Sequence, residues 1–496
     1  MAEAGKINGG AASPRLKGPL AGLLLAGIVL ACPPAHGQEQ QNAFSAPLAT
    51  GTASFAEPGP ALDETGDGQA PLPAPLDGED ARPDDPALID EDGSARILPD
   101  SLRENLPQTR IDSAVRRAAA DSGEAPGVPL GAFTLRPSLS QGIGTERTRD
   151  GGGSSSRTFS RTGFRGVLTS DWSRHQLTVD ADGVYERNLG GTGETQPEFR
   201  LGADLRLDLS HDTIANITGG YRFNRESSTD PNAVSGASAQ SGVQTLTGGA
   251  RVTRDFGLIR GTAGLDLERQ IYGSAKLSDG SRLSLTDRNR TEATLTGRIG
   301  YELSPALIPY LEASAGRSFY DRRADSLGYE RSATLLGGRG GVEIDLGEKL
   351  RGDLGIGYKQ AHFEDHRLSA IETLALDGSL AWSPQRGTDL RLGFRTEIEP
   401  STAGGESGYV AYETNAELTH QLRDNLVATL MGAYTLRDMP SASGSDQNVY
   451  RVGAGLAWDL NRWLAMTGDV SYEVTTQSGA ADSRITRAGI GLVLRR

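Results

Sequence analysis

Residues 388–399 read T-D-L-R-L-G-F-R-T-E-I-E. Leu390, Leu392, Phe394 and Ile398 fall on one side of a two-residue alternation, and Asp389, Arg391, Arg395 and Glu397 on the other. Period two is the spacing of a β-strand, whose side chains point to opposite faces. One face of this strand is oily and the other ionic. What receives the oily face, a protein core or lipid, decides the fold.

The pattern recurs from Ala132 onward with almost no helical periodicity between repeats. Leu201, Ala203, Leu205, Leu207 and Leu209 form one apolar column; Ala293, Leu295, Gly297, Ile299 and Tyr301 form another. Leu464, Met466, Gly468, Val470 and Tyr472 form a third. Short connections such as Ser210-His211-Asp212, Gly347-Glu348-Lys349 and Arg423-Asp424-Asn425 alternate with long polar ones such as 226–241, 273–286, 321–330 and 438–447. Tight turns at one end and longer loops at the other are the signature of a transmembrane antiparallel β-barrel. Eight short turns and nine long loops give an all-β barrel of about 18 strands, with 16 as the alternative. Trp172, Trp382, Trp458 and Trp463 all stand beside short turns, where a periplasmic aromatic girdle belongs. A propeller or a row of sandwiches would need shorter strands and more large apolar side chains than 36% hydrophobic content provides.

The remaining composition fits an exported chain. Lys6, Arg15 and Lys17 precede an apolar run from Leu20 to Ala31 and the small-residue pattern Ala35-His36-Gly37, so residues 1–37 read as a secretory signal peptide. Cys32 is the one cysteine and would leave with that signal, so disulfides play no part. Residues 38–128 carry 18 acidic and 6 basic residues among many Pro, Ala and Gly, which predicts a disordered acidic periplasmic extension with one weak amphipathic stretch at 100–121. The barrel is expected over 129–496, where acids and bases nearly balance at about −4. No basic patch points to nucleic acid.

Three stretches carry a family resemblance: G-G-Y-R-F-N-R at 219–225, A-W-S-P-Q-R-G-T-D-L-R-L-G-F at 381–394, and Gly355-Ile356-Gly357-Tyr358. Over about residues 130–496 the sequence resembles the porin-like outer-membrane β-barrel proteins known mainly from alpha-proteobacteria. The resemblance implies a Gram-negative outer-membrane location and a porin-like role with little established chemistry. One departure is the C-terminus, L-V-L-R-R, where such barrels typically end on an aromatic residue read by the insertion machinery.

Catalytic signals are weak. His362 and His366 have metal-like spacing, but on an extended strand they lie about 13 Å apart. His175, His211 and His420 sit at or near short turns, and no G-x-S-x-G elbow occurs. The sequence therefore predicts no enzyme, cofactor or metal. Its candidates are inward charges: Arg206, Asp208, Asp266, Glu268, Glu292, Arg298, Arg351, Asp353, Lys359, Asp389, Arg391, Arg395, Glu397, Glu413, Glu417, Asp469 and Glu473. They line the lumen either as interstrand ion-pair ladders or as opposed columns that order solutes. The expected function is passive or weakly selective diffusion of small hydrophilic solutes. The competing expectation is a structural or export-associated barrel whose extension plugs the lumen or docks a periplasmic partner. Lipid and the barrel-assembly machinery are the other expected partners.

Overall fold

The computed structural model describes residues 127–151, 153–440 and 445–496. The signal and the acidic extension read from the sequence, as far as residue 126 and including the stretch at 100–121, lie outside the described residues. Eighteen long strands make the wall: β1 Phe133–Asp150, β2 Gly153–Ser170, β3 His175–Gly191, β4 Glu198–Ser210, β5 Thr213–Arg225, β6 Gly242–Asp255, β7 Ile259–Tyr272, β8 Arg290–Tyr301, β9 Leu307–Tyr320, β10 Ala333–Asp345, β11 Leu350–Phe363, β12 Ile371–Gln385, β13 Thr388–Pro400, β14 Gly408–Arg423, β15 Leu426–Asp438, β16 Gln447–Asn461, β17 Leu464–Gln477 and β18 Ser483–Arg495. Each pairs antiparallel with its sequence neighbours. The last closes on the first, from Ser138↔Arg495 to Asp150↔Ser483. Closure matters because a lipid-facing edge would leave backbone donors and acceptors unpaired at several kcal/mol each.

Closure also settles where the oily faces go. Leu139, Leu295 and Ile490 are 54%, 62% and 72% exposed, each in the middle of a paired ladder. In water such a belt would be an aggregation surface; on a closed barrel it is the band that lipid covers. The alternate positions, set by the same pleat, form a polar inner face. The final residues take part without a terminal aromatic: Leu492 and Leu494 stand outward, and the Arg496 N–H donates to the Pro137 carbonyl at 3.0 Å.

Eight short connections lie at one end, from 171–174 to 462–463. Trp382, Trp458 and Trp463 stand exposed beside them, and Trp172 packs edge-on against Phe133 at 5.6 Å. Longer connections at the other end include 226–241, 273–289 and 321–332. A small three-stranded sheet, Ala237–Ala239, Ser274–Leu277 and Arg282–Ser284, ties two of them together. The first connection at this end corrects the expectation of nine long loops. β1 and β2 run 18 residues each and stay paired out to Asp150↔Gly153, with Gly151 at φ +52° just beyond β1 supplying a left-handed step.

A second correction falls on the strand that decides the fold. The ladder between β12 and β13 stops at Gly378↔Phe394, although both strands continue toward the long-loop end. Beyond that point the Thr396 N–H donates to the Asp377 carboxylate at 2.9 Å, and the Lys359 Nζ donates to the Thr396 carbonyl at 2.6 Å. The tip of the β13–β14 hairpin is tucked inside β12. Thr373 of β12, on an inward position, meets the hydroxyl of outward-parity Tyr412 at 2.6 Å, and Thr396, Val410, Ile371 and Ala375 are all buried. Ile398, paired with Val410, therefore shares its face with the buried Thr396 and does not join the lipid band with Leu390 and Leu392. Backbone-to-side-chain bonds replace the lost ladder, which keeps the departure inexpensive.

Candidate functional site

Tucking the hairpin brings distant strands together inside the barrel. Arg290 of β8 reaches Glu399 of β13 at 3.3 Å, five strands away. The connection 226–241 goes further. It leaves from β5, yet Arg437 of β15 donates to the Thr229 carbonyl at 3.3 Å and pairs with Asp230 at 3.6 Å. With 18 strands in the ring, β5 and β15 stand nearly opposite, so this segment crosses the lumen. Asn232 then clasps the hairpin tip: its Nδ2 donates to the Pro400 carbonyl at 3.1 Å, and its Oδ1 accepts from the Thr402 N–H at 2.9 Å. Arg288, from 273–289, donates to the Asn232 carbonyl at 3.0 Å and pairs with Glu226 at 3.3 Å. The three segments enclose a polar cavity of about 380 Å³, lined among others by Tyr272, Glu397, Glu399, Tyr409 and Glu413.

Glu226 is the sensitive member of this clasp. Burial pushes its carboxyl up to about 7, the Arg288 guanidinium opposing that rise and Asp230 adding to it. Its Oε2 is buried with no hydrogen-bond partner. An acid so placed is half ionised near neutrality, and each ionised copy strains the clasp that buries it.

A family model described as "Putative beta-barrel porin 2" matches residues 121–496. The chain belongs to this family. It is a porin-type β-barrel of the outer membrane. No curated protein matches it. Among solved structures it is similar to OpdQ of Pseudomonas aeruginosa, at 11% identity over 73% of this chain and 98% of that one, with a TM-score of 0.36. It is also similar to OccK8 (OprE) of the same organism, at 12% identity, 73% and 98% coverage and a TM-score of 0.36. OccAB4 of Acinetobacter baumannii gives 11%, 73%, 98% and 0.35. The closed register of the chain itself, and not these likenesses, establishes the barrel.

Within this porin the charged residues singled out from the sequence all lie on the parity opposite the exposed leucines. The structure distributes them over several groups. Arg298 bonds Asp353 at 2.8 Å and Glu312 at 2.7 Å, Arg339 adds a 2.7 Å contact to Glu312, and the Tyr310 hydroxyl donates to Asp353 at 2.8 Å. This network bridges β8 to β11 over Gly341, where an added Cβ would lie 2.5 Å from the Tyr310 hydroxyl. Closer to the short turns, Arg206 pairs with Asp208 at 3.0 Å, Arg351 with Asp345 at 3.2 Å and Arg391 with Glu417 at 3.8 Å, while Asp389 accepts from Ser383. Lys359 pairs with Asp377 at 2.8 Å and Arg451 with Glu473 at 2.8 Å. Arg395 pairs with Glu397 beside the cavity, with Glu413 across the ladder. Glu268 and Glu292 are register partners below it, next to Asp266. Asp469 lies on the far wall against Gly489.

Sequence reasoning missed the clasp itself: Glu226, Asn232, Arg288, Thr402 and Arg437. Loop residues carry no periodicity, so nothing in the pattern marks which loop turns inward. It also missed Arg157, which is 2% exposed and pairs with both Glu146 at 2.9 Å and Glu186 at 2.8 Å. Reading the alternation along β2, where Arg157 shares its parity with Arg161 and Arg165, would have found it. Of the histidines, His175 accepts from the Asp208 N–H at 3.2 Å and His420 bonds Thr388 at 2.8 Å, both near short turns. His362 is the last residue but one of β11, and His366 lies in the connection beyond it.

Proposed function

We propose that this porin is a diffusion channel for small hydrophilic solutes, weakly selective, and narrowed near its long-loop end by the 226–241 crossing and the tucked hairpin. The observation that carries this reading is the polar lumen. A barrel of about 18 strands is too wide to fill with its own side chains, and its interior holds water unless plugged. Here the contacts that span the interior are charged and hydrogen-bonded, and they surround a cavity where a packed core would exclude water. Paired charges of both signs make a wettable but weakly discriminating passage, because each residue already has much of its electrostatic requirement met within the wall.

Liposome swelling tests the reading. Vesicles carrying the folded porin, diluted into isosmotic sugars or amino acids of increasing size, should swell at rates that fall with solute size and stop at a cut-off. Absence of swelling for every solute, with the protein verified as folded by its heat-modifiable migration, would contradict it.

A further inference from the structure

A second cavity, of about 220 Å³, opens in the lumen wall formed by β1 to β5, β17 and β18. Glycines recur in its wall, with the Phe159 ring lying over Gly144 and Asp469 over Gly489. Gly142 and Gly144 of β1, Gly163 of β2, and Gly489 and Gly491 of β18 all take inward positions on neighbouring strands. These positions need glycine because the wall itself closes on them: a Cβ at Gly142 would lie 2.7 Å from the Ile490 carbonyl, and one at Gly163 would lie 2.4 Å from the Ser140 hydroxyl. Glycine here lets the neighbouring strands and side chains approach closely.

The recess is lined by six arginines against four carboxylates, Asp182, Glu186, Glu198 and Asp469, which leaves the arginines in excess. Arg200 and Arg222 are direct register partners on the inner face, an arrangement that like charges oppose. Arg200 pairs with Glu198, yet its Nε is buried with no hydrogen-bond partner. Arg222 and Arg161 have no hydrogen bond or ion pair among the described residues, whereas Arg487 and Arg225 on the same rim pair with Glu146 at 2.6 Å and Glu194 at 3.3 Å. Asn224, also on the rim, has a buried Oδ1 with no partner, and so does the Oγ1 of Thr245, the 4%-exposed register partner of Arg222. Buried polar groups are ordinarily satisfied, so a cluster of orphans around one recess calls for an occupant.

We infer that this recess is a binding station for the oxyanion of a small solute, a carboxylate or a phosphate, held by Arg161 and Arg222. The inference deepens the channel reading: the station would concentrate anions on the path below the clasp. Guanidinium forks match carboxylate and phosphate oxygens in pairs. A volume of 220 Å³ is that of roughly seven waters at about 30 Å³ each, which admits the oxyanion and a few carbons. The orphan Asn224 Oδ1 would accept from a hydroxyl or ammonium group on such a solute.

Equilibrium dialysis of the folded, detergent-solubilised porin against radiolabelled phosphate and, separately, radiolabelled gluconate tests this without requiring conduction. Wild type should retain at least one of the two, and Arg161→Gln/Arg222→Gln should retain it about tenfold less, the scale of losing charge-assisted hydrogen bonds. Arg351→Gln, near the short turns, should bind as wild type. Retention of phosphate alone or of gluconate alone identifies the source of the oxyanion. No retention by wild type, or equal loss in the Arg351 control, overturns the station and leaves the channel to be judged by swelling.

Discussion

Leu430→Arg should cost the porin far more than Asn415→Arg, although the two positions lie on adjacent strands. Leu430 is 54% exposed on the outer face of β15, paired to Leu418 and Ala454. It is four steps from the strand start at Leu426; at a rise of about 3.4 Å and a tilt near 45° that places it about 10 Å into an apolar band roughly 25 Å tall. An arginine at that depth is expected to cost about 3 kcal/mol. Asn415 faces inward between Glu413 and Glu417, with Gly393 and Ala433 beside it, so an arginine there meets water and carboxylates. Its cost should stay below about 1 kcal/mol. Urea titration of folding into lipid vesicles, followed by heat-modifiable migration, measures both. At about 1.4 kcal/mol per tenfold, the predicted gap exceeds a factor of ten in the folding equilibrium. Equal costs, or a greater cost at Asn415, would refute the assignment of faces.

Other consequences concern the interior. Because burial raises the folded-state pKa of Glu226 to about 7 from an ordinary 4.5, its stabilising contribution is full below pH 4.5 and is lost as pH rises through 7. Current fluctuations from the clasp should therefore increase between pH 5 and pH 8, and Glu226→Gln should flatten that dependence; an unchanged profile in the variant would exclude Glu226 as the titrating group. A double-mutant cycle on Arg290→Ala and Glu399→Ala, whose side chains are 14% and 25% exposed, should give a coupling of about 1 kcal/mol in urea unfolding. No coupling would mean the cross-lumen pair does not form in solution. Gly341→Ala places a Cβ 2.4 Å from the Leu354 carbonyl and 2.5 Å from Tyr310, and should lower stability by about 1–3 kcal/mol in the same assay, whereas Gly432→Ala, with open space around it, should be nearly neutral.

The wall was legible in the sequence because lipid and water impose opposite demands on alternate residues along most of its length. Leu201 to Leu209 or Ala293 to Tyr301 could be assigned a face without neighbours. The short turns were legible for the same reason, being the points where alternation breaks. The β13–β14 tip was not. Thr396 and Ile398 continue the alternation past Phe394, but the local pattern cannot tell lipid from the inner face of β12, since both accept an apolar side chain. The clasp was least visible of all. Asn232, Arg288 and Arg437 lie far apart in sequence and meet only because the ring brings β5 and β15 to opposite sides of one lumen.

The central claim is that water crosses this barrel and that the segment 226–241 narrows its path. Single-channel recording in planar bilayers, comparing wild type with a variant in which residues 228–239 are replaced by a short glycine-serine turn, addresses both parts. Wild type should insert in discrete conducting steps, and the shortened variant should give steps several-fold larger with the same ion preference at the wall. Identical step sizes would contradict the crossing as the constriction, and silence from both folded proteins would contradict the channel.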